Sequence, residues 1–172
     1  GQVKAGHALS VELGMTGSEL EQALQSAYRA AKRVRTETAV GERPVSIAAA
    51  ALQIAHDVHG DLSRRSALLI AGGEMGELIL GQLTAAGLTR ISVTAPVAAR
   101  AEMTAKRLSC HYAPMEDLPH LLEGADIVIS ALGSGRQVVD AEAMERVLKA
   151  RRRRPMFLID AGIPWDMDPG IN

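Results

Sequence analysis

From Asp61 onward the chain alternates short apolar runs with helical stretches, and this alternation restricts the fold more than any other feature. Runs at 67–71, 91–94, 126–131 and 156–160, with a weaker one at 110–113, read as strands. Stretches at 75–86, 97–108, 115–123 and 140–150 read as the helices between them. Strand–helix–strand units with short links demand parallel strands and right-handed crossovers, so helices must cover both faces of the sheet. Aromatic residues are scarce, limited to Tyr28, Tyr112, Phe157 and Trp165, so small and aliphatic side chains must fill the core. That suits helices packed closely on a parallel sheet. The expected fold is α/β: a doubly wound, Rossmann-like parallel sheet of order 3-2-1-4-5 over residues 41–172, preceded by an N-terminal helical segment over 1–40.

The first strand opens into Leu68-Leu69-Ile70-Ala71-Gly72-Gly73-Glu74-Met75-Gly76-Glu77. A strand, a glycine-rich turn and a helix start in that order form a phosphate cradle. Glycines let the backbone approach the phosphates, and free N–H groups at the helix N-terminus carry partial positive charge. The spacing is A-x-G-x-x-G, with Ala71 where a first glycine is usual, so a methyl stands where the turn can require φ > 0. Gly72 or Gly73 permits the tight turn, and Gly76 lets the helix sit close to the strand.

About 20 residues further on, an acid would bind ribose hydroxyls and an arginine would meet a 2′-phosphate. The second strand instead ends Thr94-Ala95-Pro96, with Arg100 one helical turn beyond. The fourth strand ends in Ser130, Ala131 and Leu132, small enough at its tip to leave room for a nicotinamide-ribose. The candidate cofactor-binding set is therefore Ala71, Gly72, Gly73, Glu74, Met75, Gly76, Thr94, Ala95, Pro96, Ser130, Ala131 and Leu132. Asp160 and Asp166 flank the last strand and loop, where Asp160 is expected to fix a backbone turn.

The remaining features point away from other chemistries. The formal net charge of −1 argues against nucleic-acid binding by bulk electrostatics. The run Arg151-Arg152-Arg153-Arg154 reads first as a solvated helix end whose cations complement the dipole, with a phosphate or RNA contact as the other reading. His7, His56, His59, His111 and His120 form no metal set, since no third ligand stands near the pair His56 and His59. The single cysteine, Cys110, excludes an internal disulfide, reads as a small buried residue, and fits a reducing, cytoplasmic compartment. No apolar run is long enough for a membrane span. In the N-terminal part, Ser18 with Glu21 forms a candidate capping box for a helix reaching Val34, Gly41 to Pro44 a linker, and Ser46 a cap for an alanine-rich helix from Ile47 to Val58. Opening on Gly1 and closing on Asn172 just after an expected strand and loop, the chain reads as a piece of a longer protein.

Taken together, these segments resemble glutamyl-tRNA reductase nearly end to end. Gly1-Gln2-Val3-Lys4 is similar to the end of that family's G-E-x-Q-I-L-G-Q-V-K, and Lys32-Arg33-Val34-Arg35-Thr36-Glu37-Thr38 to its K-R-V-R-T-E-T. Gly73-Glu74-Met75-Gly76-Glu77 resembles G-E-M-G-E, Ala125 to Ala131 resembles A-D-I-V-I-S-A, and Asp160-Ala161-Gly162-Ile163-Pro164 resembles the closing D-I-A-V-P. The resemblance implies NADPH-dependent reduction of glutamyl-tRNA to glutamate-1-semialdehyde in tetrapyrrole biosynthesis, by a homodimeric parent. In that family a cysteine in a separate N-terminal domain forms the thioester, so no catalytic residue is assigned here. Residues 1–40 would end the catalytic domain, and 41–172 would be the NADP-binding middle domain. Arg33, Arg35, Thr36, Glu37 and Thr38 are the implied substrate or interdomain contacts.

Departures from the family cluster at one pocket. Its N-R-T, whose arginine would meet the 2′-phosphate, is Ala95-Pro96-Val97 here, and its P-R-D is Pro164-Trp165-Asp166. A hydrogen bond to a charged group contributes about 1.5–3 kcal/mol, so losing that arginine costs about tenfold or more in affinity. Weak NADPH binding is expected. Two readings stay open: a cofactor domain of such a reductase, or a diverged, non-catalytic binding or scaffold module. A shikimate-dehydrogenase-like reductase is disfavoured by the segment Lys32 to Thr38.

Overall fold

The computed structural model describes residues 2–38, 43–71 and 73–171. The chain divides into two compact units, Gly1–Val45 and Ser46–Asn172.

In the first unit, α1 (Gln2–Glu12) and α2 (Ser18–Glu37) form a helical hairpin. The His7 ring joins them, its Nε2 2.7 Å from Glu21 Oε2 and its Nδ1 3.0 Å from the Tyr28 hydroxyl. The Ser18 capping box is not formed: Gly17 is the N-cap and makes no side-chain cap. Glu21 is drawn to His7 and Gln25 instead, and these contacts hold its carboxyl below the ordinary value. Val3, Leu9, Leu13, Leu20 and Val34 remain exposed.

The second helix boundary also differs from the sequence reading. Gly41 and Glu42 lie outside the described residues, and α3 runs Arg43–His59, so Ser46 is inside the helix rather than its cap. Pro44 is tolerated there because a first-turn N–H has no intrahelical acceptor to lose. Ala48, Ala51 and Ala55 form the buried stripe of α3, as their small size suggested.

The second unit carries a five-stranded parallel sheet of order β3-β2-β1-β4-β5. Its strands are β1 (Ser66–Ile70), β2 (Arg90–Thr94), β3 (His111–Tyr112), β4 (Ile127–Ser130) and β5 (Phe157–Asp160). Helices α4 (Glu74–Ala85), α5 (Ala98–Leu108), α6 (Leu118–Gly124) and α7 (Ala141–Ala150) cross between them. Successive strand residues face opposite ways, and the core splits accordingly. Leu69, Val93, Ile127 and Ile129 pack with α3, α4 and α5 through Ala51, Ile79, Leu83 and Ala101. Leu68, Ile70 and Val128 pack on the other face with Leu122 of α6 and Met144 and Val147 of α7. The sheet is thus covered on both sides, and β1 pairs with β2 on one edge and β4 on the other.

Candidate functional site

The glycine turn lies where β1 and β4 run side by side but their connections depart in opposite directions, the place where doubly wound sheets open a ligand crevice. Gly72 lies outside the described residues. Gly73 is the N-cap of α4, with extended backbone and no side-chain cap on the first-turn N–H groups. A Cβ on Gly73 would stand 3.3 Å from the Ala131 carbonyl oxygen. Gly76 is under tighter constraint: a Cβ there would lie 2.9 Å from both Ala131 Cβ and Leu69 Cδ1. Its missing side chain sets how closely α4 approaches β1 and β4, as its place in the motif suggested. Ala71 corrects one expectation. Among the described non-glycine residues only Ser109, Arg152 and Arg153 have positive φ, so Ala71 bears no left-handed strain. Its methyl is buried in the core, and its N–H donates to Thr94 O at 2.8 Å. Met75 packs partly against the same core; Glu74 is exposed.

The tip of β2 lacks charge. Thr94 is fully buried with its hydroxyl 3.8 Å from Met115 Sδ, and Ala95 is buried in the core. Pro96 and Val97 are exposed, and Val97 is the N-cap of α5. The α4 N-terminus suits a pyrophosphate; none of Thr94 to Val97 offers a cation to a 2′-phosphate. Residues and group fit at one end of the cofactor and not at the other.

Beyond β4 and β5 the main organising residue is one to which the sequence reading gave a place but no role. Asp166 is completely buried. Its carboxylate accepts hydrogen bonds from Ser130 Oγ at 2.8 Å, Leu132 N–H at 2.6 Å and Gly133 N–H at 2.8 Å. Ser130 is therefore committed to this carboxylate rather than free to line the crevice. Asp160 does fix the turn, accepting from the N–H groups of Gly162, Asp166 and Met167. Gly162 makes the arrangement possible, because a Cβ there would meet Asp166 Oδ2 at 2.4 Å. Two acids spaced around a glycine in Asp160-Ala161-Gly162-Ile163-Pro164-Trp165-Asp166 were the available signal. Alongside, Gly135, Gln137, Ile163, Pro164 and Trp165 line an open groove of about 520 Å³. Ile163 and Trp165 are exposed, and the Ile163–Pro164 peptide bond is cis.

At the opposite, amino-terminal edge of the sheet, Arg151 departs from the reading of its run as a solvated helix end, which Arg152 to Arg154 follow. Its side chain is buried and donates to Glu123 O, Asp126 Oδ1 and Pro155 O. Burial alone would raise the Asp126 carboxyl, but the Ser66 N–H and the Arg151 guanidinium outweigh it and hold it below its ordinary value. His59, also buried, is pushed below its ordinary value by desolvation, with Asp126 opposing and Arg65 and Arg151 adding to the shift.

Arg33, Thr36, Glu37 and Thr38 lie at the exposed end of α2 and its cap; the side chain of Arg35 is outside the described residues. Arg33 pairs with Glu37 at 3.3 Å, and the hydroxyls of Thr36 and Thr38 donate to the backbone one turn back. Cys110 is half-buried, with its thiol pushed up by burial, which opposes thiolate formation. Among the described residues no helix is long and apolar enough to cross a membrane.

Fold and crevice are those of the Rossmann-like domains found in the dehydrogenase class. Residues 53–172 match the model of the shikimate / quinate 5-dehydrogenase family, and the chain belongs to that family, which implies a nicotinamide cofactor; Lys32 to Thr38, the segment that disfavours a shikimate-dehydrogenase-like reductase, lies outside the matched residues. Its particular kinship is with glutamyl-tRNA reductase. The chain is 48% identical over 171 residues to the glutamyl-tRNA reductase of Rhodospirillum rubrum, covering 99% of this chain and 40% of that protein. The glutamyl-tRNA reductase of Methanopyrus kandleri superposes with a TM-score of 0.70 at 28% identity, over 99% of this chain and 43% of that one. The nucleotide-binding domain of the Thermoplasma volcanium enzyme shares the fold, with a TM-score of 0.54 at 20% identity over 70% of this chain and 80% of that one. The resemblance read from the sequence is thereby borne out, and the chain spans about 40% of the length of the curated relatives it matches.

Proposed function

We propose that this chain is the cofactor domain of a glutamyl-tRNA reductase, binding NADP weakly and working with parts of the protein outside it. The observation that carries the reading is the α4 N-terminus. Its first-turn N–H groups have no side-chain cap, and Gly73 leaves open the space beside Ala131 at the crevice. A bound nicotinamide dinucleotide supplies hydride. The chain's own residues cradle the pyrophosphate at Gly73 to Gly76 and shape the crevice wall at Ala131 and Leu132, held from below by Asp166. Ala71 and Met75 support the turn from within, and Glu74 opens the helix. Thr94, Ala95 and Pro96 flank the adenosine end without gripping it by charge.

The rest of the proposal follows from kinship. The substrate is glutamyl-tRNA, engaged through the catalytic domain, and the parent is a cytoplasmic homodimer. Arg33, Arg35, Thr36, Glu37 and Thr38 contact substrate or the neighbouring domain, a role supported for Arg33, Thr36, Glu37 and Thr38 by their exposed position beside unburied apolar residues of the hairpin. Titration of the chain with NADPH and NADH by fluorescence tests the cofactor reading. Dissociation constants in the tens of micromolar or weaker are expected. A low-micromolar constant for NADPH refutes the weakened adenosine end. Failure of both to bind favours the second reading, a scaffold module, for which the uncharged β2 tip is the supporting observation.

A further inference from the structure

The arginine run holds three cations that the cofactor crevice does not use. Arg151 turns inward as the C-cap of α7, tied to Glu123 O, Asp126 and Pro155 O. The next residues complete a Schellman closure: Arg152 N–H donates to Lys149 O at 3.0 Å, and Arg153 N–H to Leu148 O at 2.9 Å. This geometry places Arg152 and Arg153 both at φ 53°. A side chain with a Cβ enters the left-handed region at a cost that glycine escapes. The same kind of closure after α4 falls on Gly87. After α7 the chain keeps two arginines in its place.

Those arginines face outward, and the hydrogen bond from Arg154 Nε to Arg151 O at 3.4 Å leaves its two terminal nitrogens to project. Arg152, Arg153 and Arg154 are exposed, and among the described residues none is ion-paired to a carboxylate. The neighbouring acids have other partners: Glu142 pairs with Arg146, Asp126 with Arg151, and Glu145 with Lys149, with the charge of Arg153 acting on Glu145 from further off. The buried Arg151 therefore acts as a root, fixing a short loop from which three guanidinium forks project. Such forks match phosphate oxygens bidentately.

We infer that the loop Arg152–Arg154 is a binding site for the phosphodiester backbone of RNA, at the sheet edge opposite the cofactor crevice. The choice of RNA rests on the reading above that the parent acts on glutamyl-tRNA. A membrane surface is the other bearer of phosphate, and the vesicle arm of the test separates the two.

The test is binding of an unacylated tRNA transcript to the chain, by fluorescence anisotropy, at salt concentrations from about 50 to 200 mM. Three phosphate contacts contribute about 2–3 to the slope of log K against log salt. Affinity of the unaltered chain should therefore fall about 20–40-fold more across that range than affinity of R152A/R153A/R154A. R152K/R153K/R154K should retain most of the slope. R152G/R153G should lose affinity while its melting temperature stays the same or rises, separating binding from folding. Equal slopes for the unaltered and alanine chains overturn the inference, as does a lysine variant no better than the alanine one. Binding to anionic phospholipid vesicles but not to the transcript overturns it in favour of a membrane partner. Because the probe carries no glutamate, the salt slope tests the loop alone, whereas glutamyl-dependent turnover by the parent tests the reading on which it rests.

Discussion

Replacing Asp166 should unfold the crevice from its centre, and the hydrogen bonds set the scale. Three donors converge on its carboxylate: Ser130 Oγ, Leu132 N–H and Gly133 N–H. Asp166→Ala orphans all three in a site with no solvent access at Asp166. At about 1–3 kcal/mol for each donor left unsatisfied, and with the hydroxyl free to rotate, the expected loss is about 3–5 kcal/mol. For a chain of this size that is a fall in melting temperature of about 6–20 °C. Asp166→Asn keeps the shape and one acceptor oxygen, but turns an NH₂ toward a backbone N–H, so its cost should be about 1–3 kcal/mol. Gly162→Ala attacks the same carboxylate from the other side, since its new Cβ would sit 2.4 Å from Oδ2. Chemical denaturation followed by circular dichroism orders the three variants. An Asp166→Ala midpoint indistinguishable from the unaltered chain would refute the reasoning, and so would an asparagine variant as damaged as the alanine one.

Other substitutions probe the remaining supports. Gly76→Ala forces a methyl to within 2.9 Å of Ala131 and Leu69, and overpacking of this kind costs about 1–3 kcal/mol; denaturation should show that loss, and cofactor titration a weaker constant. Arg151→Met strands the Asp126 carboxylate and should cost about 3–5 kcal/mol, much of it recovered in the double variant with Asp126→Asn, as a double-mutant cycle would show. Stability should also fall on acidification. His59, held below its unfolded value by burial, contributes fully above about pH 6.5 and less as pH falls through its lower folded value. Asp126, also depressed, adds a second loss below about pH 4. Urea midpoints measured against pH should show both steps, and His59→Gln should remove the first.

The sheet was legible because its signals are local. Leu68 to Ile70 and Ile127 to Ile129 are apolar runs bounded by turns, and the glycine turn after Ile70 marks the strand-to-helix switch by itself. The alternation of elements required parallel strands, and the glycine turn opening the first crossover pointed to the doubly wound order 3-2-1-4-5. Helix starts were less legible, since Ser18 and Ser46 have the chemistry of caps, yet Gly17 and a start at Arg43 were used instead. The capping preference is worth about 1 kcal/mol, which the rest of a helix easily overrides. The residues that organise the sheet edges were hidden for a different reason. Four consecutive arginines look alike in sequence, and only the spatial placement of Asp126 and of the Glu123 and Pro155 carbonyls marks Arg151 as the one that turns inward. Likewise Asp166 reaches partners more than thirty residues away, so its role depends on two loops meeting in space.

The Asp166 carboxylate also governs how selective the crevice can be. With the N–H groups of Leu132 and Gly133 already satisfied internally, a molecule entering beyond β4 cannot take its hydrogen bonds from these two donors. Discrimination at Leu132 and Gly133 must then come from contour and apolar contact. A ligand series graded in bulk should separate steeply on this domain, while one graded in acceptor strength at the same position should bind almost uniformly.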